Sequence, residues 1–109
     1  MTKNVNIKKT ILEIVEKIRG GYNPDKIILF GSHTKGTSTS DSDIDLLVIK
    51  DSNHRRDERD GEIRRLLWGI KFPLDIFVYT PAEVEKFGNL KGSFVNEIFK
   101  SGEVMYERK

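Results

Sequence analysis

The 109-residue chain contains no cysteine, so it cannot form disulfides, hold zinc through thiolates or use a cysteine nucleophile. Any bound metal must therefore be held by oxygen ligands or by His33 and His54. No apolar run approaches the roughly 20 residues that a membrane-spanning helix needs. The first residues also lack the long apolar stretch of a secretory leader. We therefore expect a cytoplasmic protein with no membrane partner.

Neither sign of charge dominates, because 19 lysines and arginines stand against 17 aspartates and glutamates, for a net charge of +2. Domains that bind nucleic acid usually carry a clear basic excess, so this balance argues against a nucleic-acid partner. Hydrophobic residues make up 37% of the chain and charged residues 33%, a composition typical of globular proteins. At this length, residues 1–109 are expected to form one domain.

Helices and strands alternate along the sequence. Apolar residues recur at spacings of three and four from Ile7 to Ile18, which predicts a helix with one apolar face that ends at Gly20-Gly21. Thr80-Pro81 followed by Glu83 predicts a further helix start. The alternation favours an α+β domain in which helices flank a small mixed sheet. The predicted strands cover 26–30, 43–49, 73–79 and 104–106, and the predicted helices cover 7–18, 54–70, a segment after residue 80 and a segment around 94–99.

A polar loop is predicted between the first two strands. Residues 31–42 are almost all glycine, serine, threonine or charged residues, with room for one helical turn after Ser32. Gly31-Ser32 directly follows a strand, and glycine has no Cβ to keep a phosphate away from the backbone amides. The doublet is therefore a candidate phosphate-binding element.

Two aspartates open the second strand. Asp43 and Asp45 share one face of it, about 6.6 Å apart along the backbone, while Ile44 points into the core. Mg²⁺ commonly takes one or two protein carboxylates and completes its shell with water and substrate phosphates. The pair therefore predicts half of a magnesium site, although aspartates after such a loop are also common turn and strand caps.

Asp75 lies in the otherwise apolar third strand, where a carboxylate needs a partner. If this strand lies beside the second, Asp75 completes a site for two Mg²⁺ ions about 3.5–4 Å apart, the arrangement used for in-line displacement at phosphorus. It could then also accept a proton from the attacking hydroxyl. The alternative is a structural role as an edge residue or an ion-pair partner.

Other phosphate- and metal-binding motifs fail at specific positions. Gly31 and Gly36 have the spacing of a P-loop, but Thr37 stands where that motif needs lysine. An EF-hand loop that begins at Asp41 would need glycine where Leu46 stands.

The motif resembles that of the minimal nucleotidyltransferase (MNT) family of the DNA polymerase β superfamily, which has Gly-Ser, ten residues and then Asp-x-Asp. Here Gly31-Ser32 and Asp43-Ile44-Asp45 have this spacing, and Asp75 lies where the third carboxylate is expected. The family often has Arg-Ala-Arg-Gly after the serine's position, whereas this chain has His33-Thr34-Lys35-Gly36. Lys35 keeps a positive charge there, without the planar fork of arginine.

The resemblance implies a nucleotidyltransferase of the polymerase-β-type fold that uses ATP and Mg²⁺. It implies Asp43 and Asp45 as catalytic residues, the same two with Asp75 as metal ligands, and Gly31, Ser32 and Lys35 as nucleotide-binding residues. Stand-alone MNT proteins commonly act as antitoxins that adenylylate a tyrosine of a HEPN-domain toxin, bind the toxin, or both. The alternatives are a non-catalytic module that masks its partner and an enzyme that acts on RNA or a small molecule.

The remaining features have simpler interpretations. His33 lies in the polar loop, where it could touch a phosphate. The charged stretch 55–62 is interpreted as the solvent-facing side of the predicted 54–70 helix, with a docking surface as the alternative. The C-terminal half of that helix, which includes Trp68, is expected to dock on the sheet. Phe87, Phe94 and Phe99 are predicted to belong to the core rather than to a platform on which bases stack.

Overall fold

The computed structural model describes residues 7–35 and 42–109, apart from the side chain of Lys35. Four strands form one mixed sheet in the order β3-β2-β1-β4, with helices on both faces, so the α+β prediction is confirmed. None of the described helices could span a membrane. In chain order the elements are α1 (Ile7–Tyr22), β1 (Lys26–Phe30), α2 (Ser32–Lys35), β2 (Ile44–Ile49), a 3₁₀ turn (Arg56–Glu58), α3 (Gly61–Leu66), β3 (Leu74–Tyr79), α4 (Pro81–Gly88), α5 (Phe94–Ser101) and β4 (Glu103–Glu107).

The first helix is longer than its pattern predicts. Its apolar face is buried as expected, but the helix runs through Gly20-Gly21 to Tyr22. Tyr22 is itself buried in the core, and a Cβ at Gly21 would overlap the side chain of Leu66 in α3. The glycine therefore allows α1 and α3 to pack closely, and the prediction that it ends the helix is wrong.

The central strand β2 joins both halves of the sheet. It pairs antiparallel with β1 and parallel with β3, and β1 pairs antiparallel with β4 at the other edge. Ile44, Leu46 and Leu47 are completely buried, as predicted for a strand that is covered on both faces. The predicted site required the strand that carries Asp75 to lie beside β2, and the pairing of β3 with β2 meets this requirement.

The two faces of the sheet are covered differently. The α1 face carries the larger core, which includes Ile14 and Ile18 of α1 and Ile63 of α3. The α5 face carries a smaller core around Val95 and Ile98. Of the three phenylalanines predicted to lie in the core, Phe87 packs against this smaller core.

The other two phenylalanines are not core residues. Phe94 and Phe99 are 43% and 40% exposed, so their prediction is wrong. The reason is that α5 has only eight residues and directs Val95 and Ile98, one turn apart, at the sheet. The two rings lie on either side of that narrow stripe.

The segment predicted as one helix from 54 to 70 is instead a loop, a 3₁₀ turn and a short helix that begins at Gly61. Residues 55–58 are exposed, as predicted for a solvated charged stretch, but Arg59 is buried, which the prediction missed. Its guanidinium donates to the carbonyls of His54 and Val78 and to both carboxylate oxygens of Glu83, at 2.7–3.2 Å. A continuous helix is excluded because the chain turns here to place Arg59 against the end of β3.

Trp68 also departs from the prediction. It was expected to dock on the sheet with the C-terminal half of that helix, yet it is 89% exposed. Helix α3 ends before it, and the apolar positions that reach the core are Ile63 and Leu67. Thr80, in contrast, caps α4 as predicted, since its hydroxyl accepts from the Glu83 amide and Glu83 accepts from the Thr80 amide.

Candidate metal and nucleotide site

Strand register brings the three predicted carboxylates together. Asp45 and Asp75 are direct partners across the parallel β2–β3 pair, and Asp43 immediately precedes β2. One oxygen of each carboxylate lies within 4.8 Å of the corresponding oxygens of the other two. Within the described residues, this is the cluster of three acidic or histidine side chains that could hold a metal ion.

Buried neighbours fix these carboxylates. Ile44 is completely buried on the α1 face, so the flanking Asp43 and Asp45 must project away from that core. The Ile44 amide donates to the Pro73 carbonyl at 2.9 Å, which ties the beginning of β2 to that of β3 at the level of the cluster. The three acidic groups therefore sit on two strands whose relative position is set by the sheet.

The three carboxylates of the cluster affect one another's pKa values. Burial, together with the charges of Asp75 and Asp43, raises the pKa of Asp45 to about 6. A hydrogen bond with Asp75 is the main cause that raises the pKa of Asp43, followed by burial and the charge of Asp75. Like charges held this close favour either shared protons or a cation. Three hard carboxylate oxygens fit Mg²⁺ in ligand type.

Gly31 has a role that its place in the motif did not reveal. Its φ angle is +84°, a conformation that favours glycine, and a Cβ there would overlap Oδ2 of Asp45. The residue was predicted to let a phosphate approach the backbone. The structure shows that the missing Cβ also makes room for the Asp45 carboxylate. This contact joins the end of β1 to β2, so the local sequence pattern does not reveal it.

The helical turn predicted after Ser32 is present as α2, which contacts β1 and β2. The amide and hydroxyl of Thr34 both donate to the Gly31 carbonyl, at 3.1 and 2.7 Å, and hold the turn. His33 Nε2 lies 3.3 Å from the Ser42 carbonyl oxygen, and its charge partly opposes the raised pKa of Asp45. Gly31 and Ser32 therefore adjoin the cluster, while the side chain of Lys35 lies outside the described residues.

Residues 8–104 match the sequence profile of the nucleotidyltransferase domain family. The chain belongs to this family. It is a nucleotidyltransferase, as the resemblance implied. A curated protein of Methanocaldococcus jannaschii, provisionally named a protein adenylyltransferase, is 29% identical over 106 residues, which span 94% of this chain and all of that protein.

Two solved structures share the nucleotidyltransferase fold. A crystal structure of a Sulfolobus solfataricus protein, provisionally described as a nucleotidyltransferase, has a TM-score of 0.66 and 22% identity and covers 95% of this chain and 83% of its own. A toxin–antitoxin structure with AMP-PNP has a TM-score of 0.62 and 19% identity, with coverage of 94% and 75%. These likenesses confirm the polymerase-β-type fold expected from the motif.

Proposed function

We propose that this nucleotidyltransferase uses Mg²⁺ and transfers AMP from ATP to a tyrosine hydroxyl of a HEPN-domain toxin, and so acts as an antitoxin. The observation that carries the proposal is the convergence of Asp43, Asp45 and Asp75 within 4.8 Å beside Gly31. We further propose that residues 1–109 work as one domain and bind the toxin in a complex.

The three carboxylates would hold the metal, with Asp43 and Asp45 as the catalytic pair. Bound Mg²⁺ would neutralise charge on the triphosphate and lower the pKa of the attacking hydroxyl. Gly31 and Ser32 would hold the triphosphate, with Lys35 as a further contact.

The transfer is an in-line displacement at the α-phosphorus. A bond forms between the acceptor oxygen and this phosphorus, while the bond from the phosphorus to the oxygen bridging to the β-phosphate breaks. The pyrophosphate leaves with that electron pair. Asp75, at the edge of the sheet, would accept the hydroxyl proton.

Two similarities support a protein acceptor. The M. jannaschii relative, which aligns over its full length, carries a protein adenylyltransferase name. The structure with AMP-PNP is described as a toxin–antitoxin. The near-neutral charge also argues against RNA as the acceptor.

The test is transfer of label from α-labelled ATP to the toxin in the presence of Mg²⁺. We expect labelling by the wild type, none by Asp43→Asn, and normal labelling by Asp51→Asn, an exposed aspartate just after the opposite end of β2. Absence of transfer from any nucleotide while the toxin is bound would refute the enzymatic proposal. If Asp43→Asn still protects cells as well as the wild type, masking by binding is the antitoxin mechanism.

A further inference from the structure

Three aromatic rings pack against one another on the α5 face of the sheet. The ring centroids of Phe77 and Phe94 are 5.1 Å apart, and that of Phe30 lies 6.0 Å from Phe77 and 5.6 Å from Phe94. Phe77 and Phe94 are 38% and 43% exposed. We call Phe30, Phe77 and Phe94 the aromatic shelf. The three rings are inclined to one another by 45° to 85°, and Phe77 and Phe94 present part of their aromatic surface to solvent.

The aromatic shelf adjoins the carboxylate cluster. Phe30 is the direct cross-strand partner of Asp45 in the β1–β2 pair. Phe77 follows Asp75 by two residues in β3, so the two side chains share one face about 6.6 Å apart along the strand. The shelf therefore begins about 6.6 Å along β3 from the site proposed to hold the triphosphate. A ribose can span a distance of this order between the phosphates and the base.

The shelf continues into a concave surface away from the carboxylates. A cavity of about 210 Å³ lies beside Phe94 and is also lined by Tyr79, Phe87 and Arg56. The Arg56 guanidinium lies over the Tyr79 ring at 4.6 Å and over the Phe87 ring at 5.5 Å. At this end of the shelf the Arg56 guanidinium, which also pairs with Glu83 at 3.4 Å, lies next to aromatic faces.

We propose that the aromatic shelf binds the base of the nucleotide substrate by stacking. The proposal rests on the proposed function, because the carboxylates must hold the phosphates. All bases have a π-face, so stacking does not by itself separate adenine from guanine. The shelf favours purines over pyrimidines because their larger rings cover more aromatic surface.

The test compares two ligands that share phosphates but not a base. The affinities of AMP-PNP and of inorganic tripolyphosphate, each with Mg²⁺, are measured by calorimetry. We expect Phe94→Leu and Phe77→Thr each to weaken AMP-PNP binding about tenfold and to leave tripolyphosphate binding unchanged. Phe94→Tyr, which keeps an aromatic ring, should retain AMP-PNP affinity.

Phe99→Leu is the matched control, because Phe99 is on the same helix and is similarly exposed, yet it lies outside the shelf. Thermal melting of each variant verifies its fold, and Phe94→Tyr and Phe94→Leu can be compared if Phe77→Thr does not fold. Unchanged AMP-PNP affinity in both shelf variants would overturn the proposal and leave the proposed function intact.

Two further outcomes separate the alternatives. If the shelf variants bind AMP-PNP normally but label the toxin less, the shelf holds the acceptor and the base assignment is wrong. If wild-type protein binds neither ligand, the proposed function fails and the shelf assignment fails with it.

Discussion

The two ends of β3 carry opposite electrostatic arrangements. At its beginning, Asp75 joins two other carboxylates, and the pKa of Asp45 is raised to about 6. Beyond its end, Glu83 meets buried Arg59, and the hydrogen bond from that guanidinium is the main cause that lowers the pKa of Glu83 to about 2. The second group is satisfied within the protein, whereas the first would be satisfied by an added cation. The difference separates a charged group that supports the fold from a cluster that could hold a metal ion.

The largest effect is expected at the carboxylate end. Under the proposed function, Asp45→Asn should reduce adenylyl transfer about 1000-fold, because it would remove a charge that holds the metal and the triphosphate. The same change should raise the unfolding midpoint measured without Mg²⁺, since it relieves repulsion. Labelling assays and thermal melts check both. A variant that loses activity and stability together would contradict the comparison.

Substitution of Arg59 should lower stability, whereas Asp45→Asn should raise it. Arg59→Met should lower the free energy of unfolding by about 3 kcal/mol, because Glu83 and the Val78 carbonyl lose a buried donor. Urea denaturation measures this change. The control is Arg55→Met, which breaks an exposed pair with Asp57 and should change stability by no more than about 0.5 kcal/mol. Equal effects of the two substitutions would show that burial does not distinguish them.

Mg²⁺ should stabilise the wild type. At a concentration ten times its dissociation constant, the expected gain is about 1.4 kcal/mol, because the ion binds the folded chain and not the unfolded one. Asp45→Asn should lose this gain, and Glu83→Gln should keep it. Melts with and without Mg²⁺ provide the measurement, and a gain that survives in Asp45→Asn would place the ion elsewhere.

The two ends should also differ in how stability depends on pH. The pKa of Glu83 is lower in the folded protein than its ordinary 4.5, so its contribution is present above pH 4.5 and is lost as the pH falls towards 2. The pKa of Asp45 is raised above its ordinary 3.8, so its contribution, measured without metal, is lost as the pH rises from about 4 to 6.

Urea denaturation across this pH range tests both signs. Glu83→Gln should flatten the acidic limb of the stability profile, and Asp45→Asn should flatten the limb between pH 4 and 6. Flattening of the same limb by both variants would contradict the assignment.

The candidate site was largely predictable, because its signals are local. The spacing of Asp43 and Asp45 on one strand follows from the two-residue period of β structure, and Gly31-Ser32 precedes them at the distance typical of the family. Asp75 needed one assumption, that β3 lies beside β2. The contact between Gly31 and Asp45 was missed because it links two strands.

The errors in the predicted fold also come from contacts between distant elements. Arg59 lies in a charged stretch that is typical of a solvated helix, yet its partners are in β3 and α4. Gly21 is typical of a helix end, but Leu66 of α3 makes it a packing residue. Phe94 and Phe99 are apolar, and whether they are covered depends on the length of α5 and the width of the sheet. Local patterns predicted the elements, whereas tertiary contacts set their ends and their exposed faces.

The parallel register of β2 with β3 also has a consequence for the order of folding. Asp45 pairs with Phe30 of the preceding strand β1, and Asp43 lies just before β2, whereas Asp75 reaches them only after the crossover through residues 50–73 has closed. Contacts over such a long separation form slowly, because the entropy of closing the loop must be met first. During synthesis the emerging chain carries two of the three carboxylates long before the third. The complete cluster therefore marks a chain that has been made through Tyr79 and has docked its edge strand.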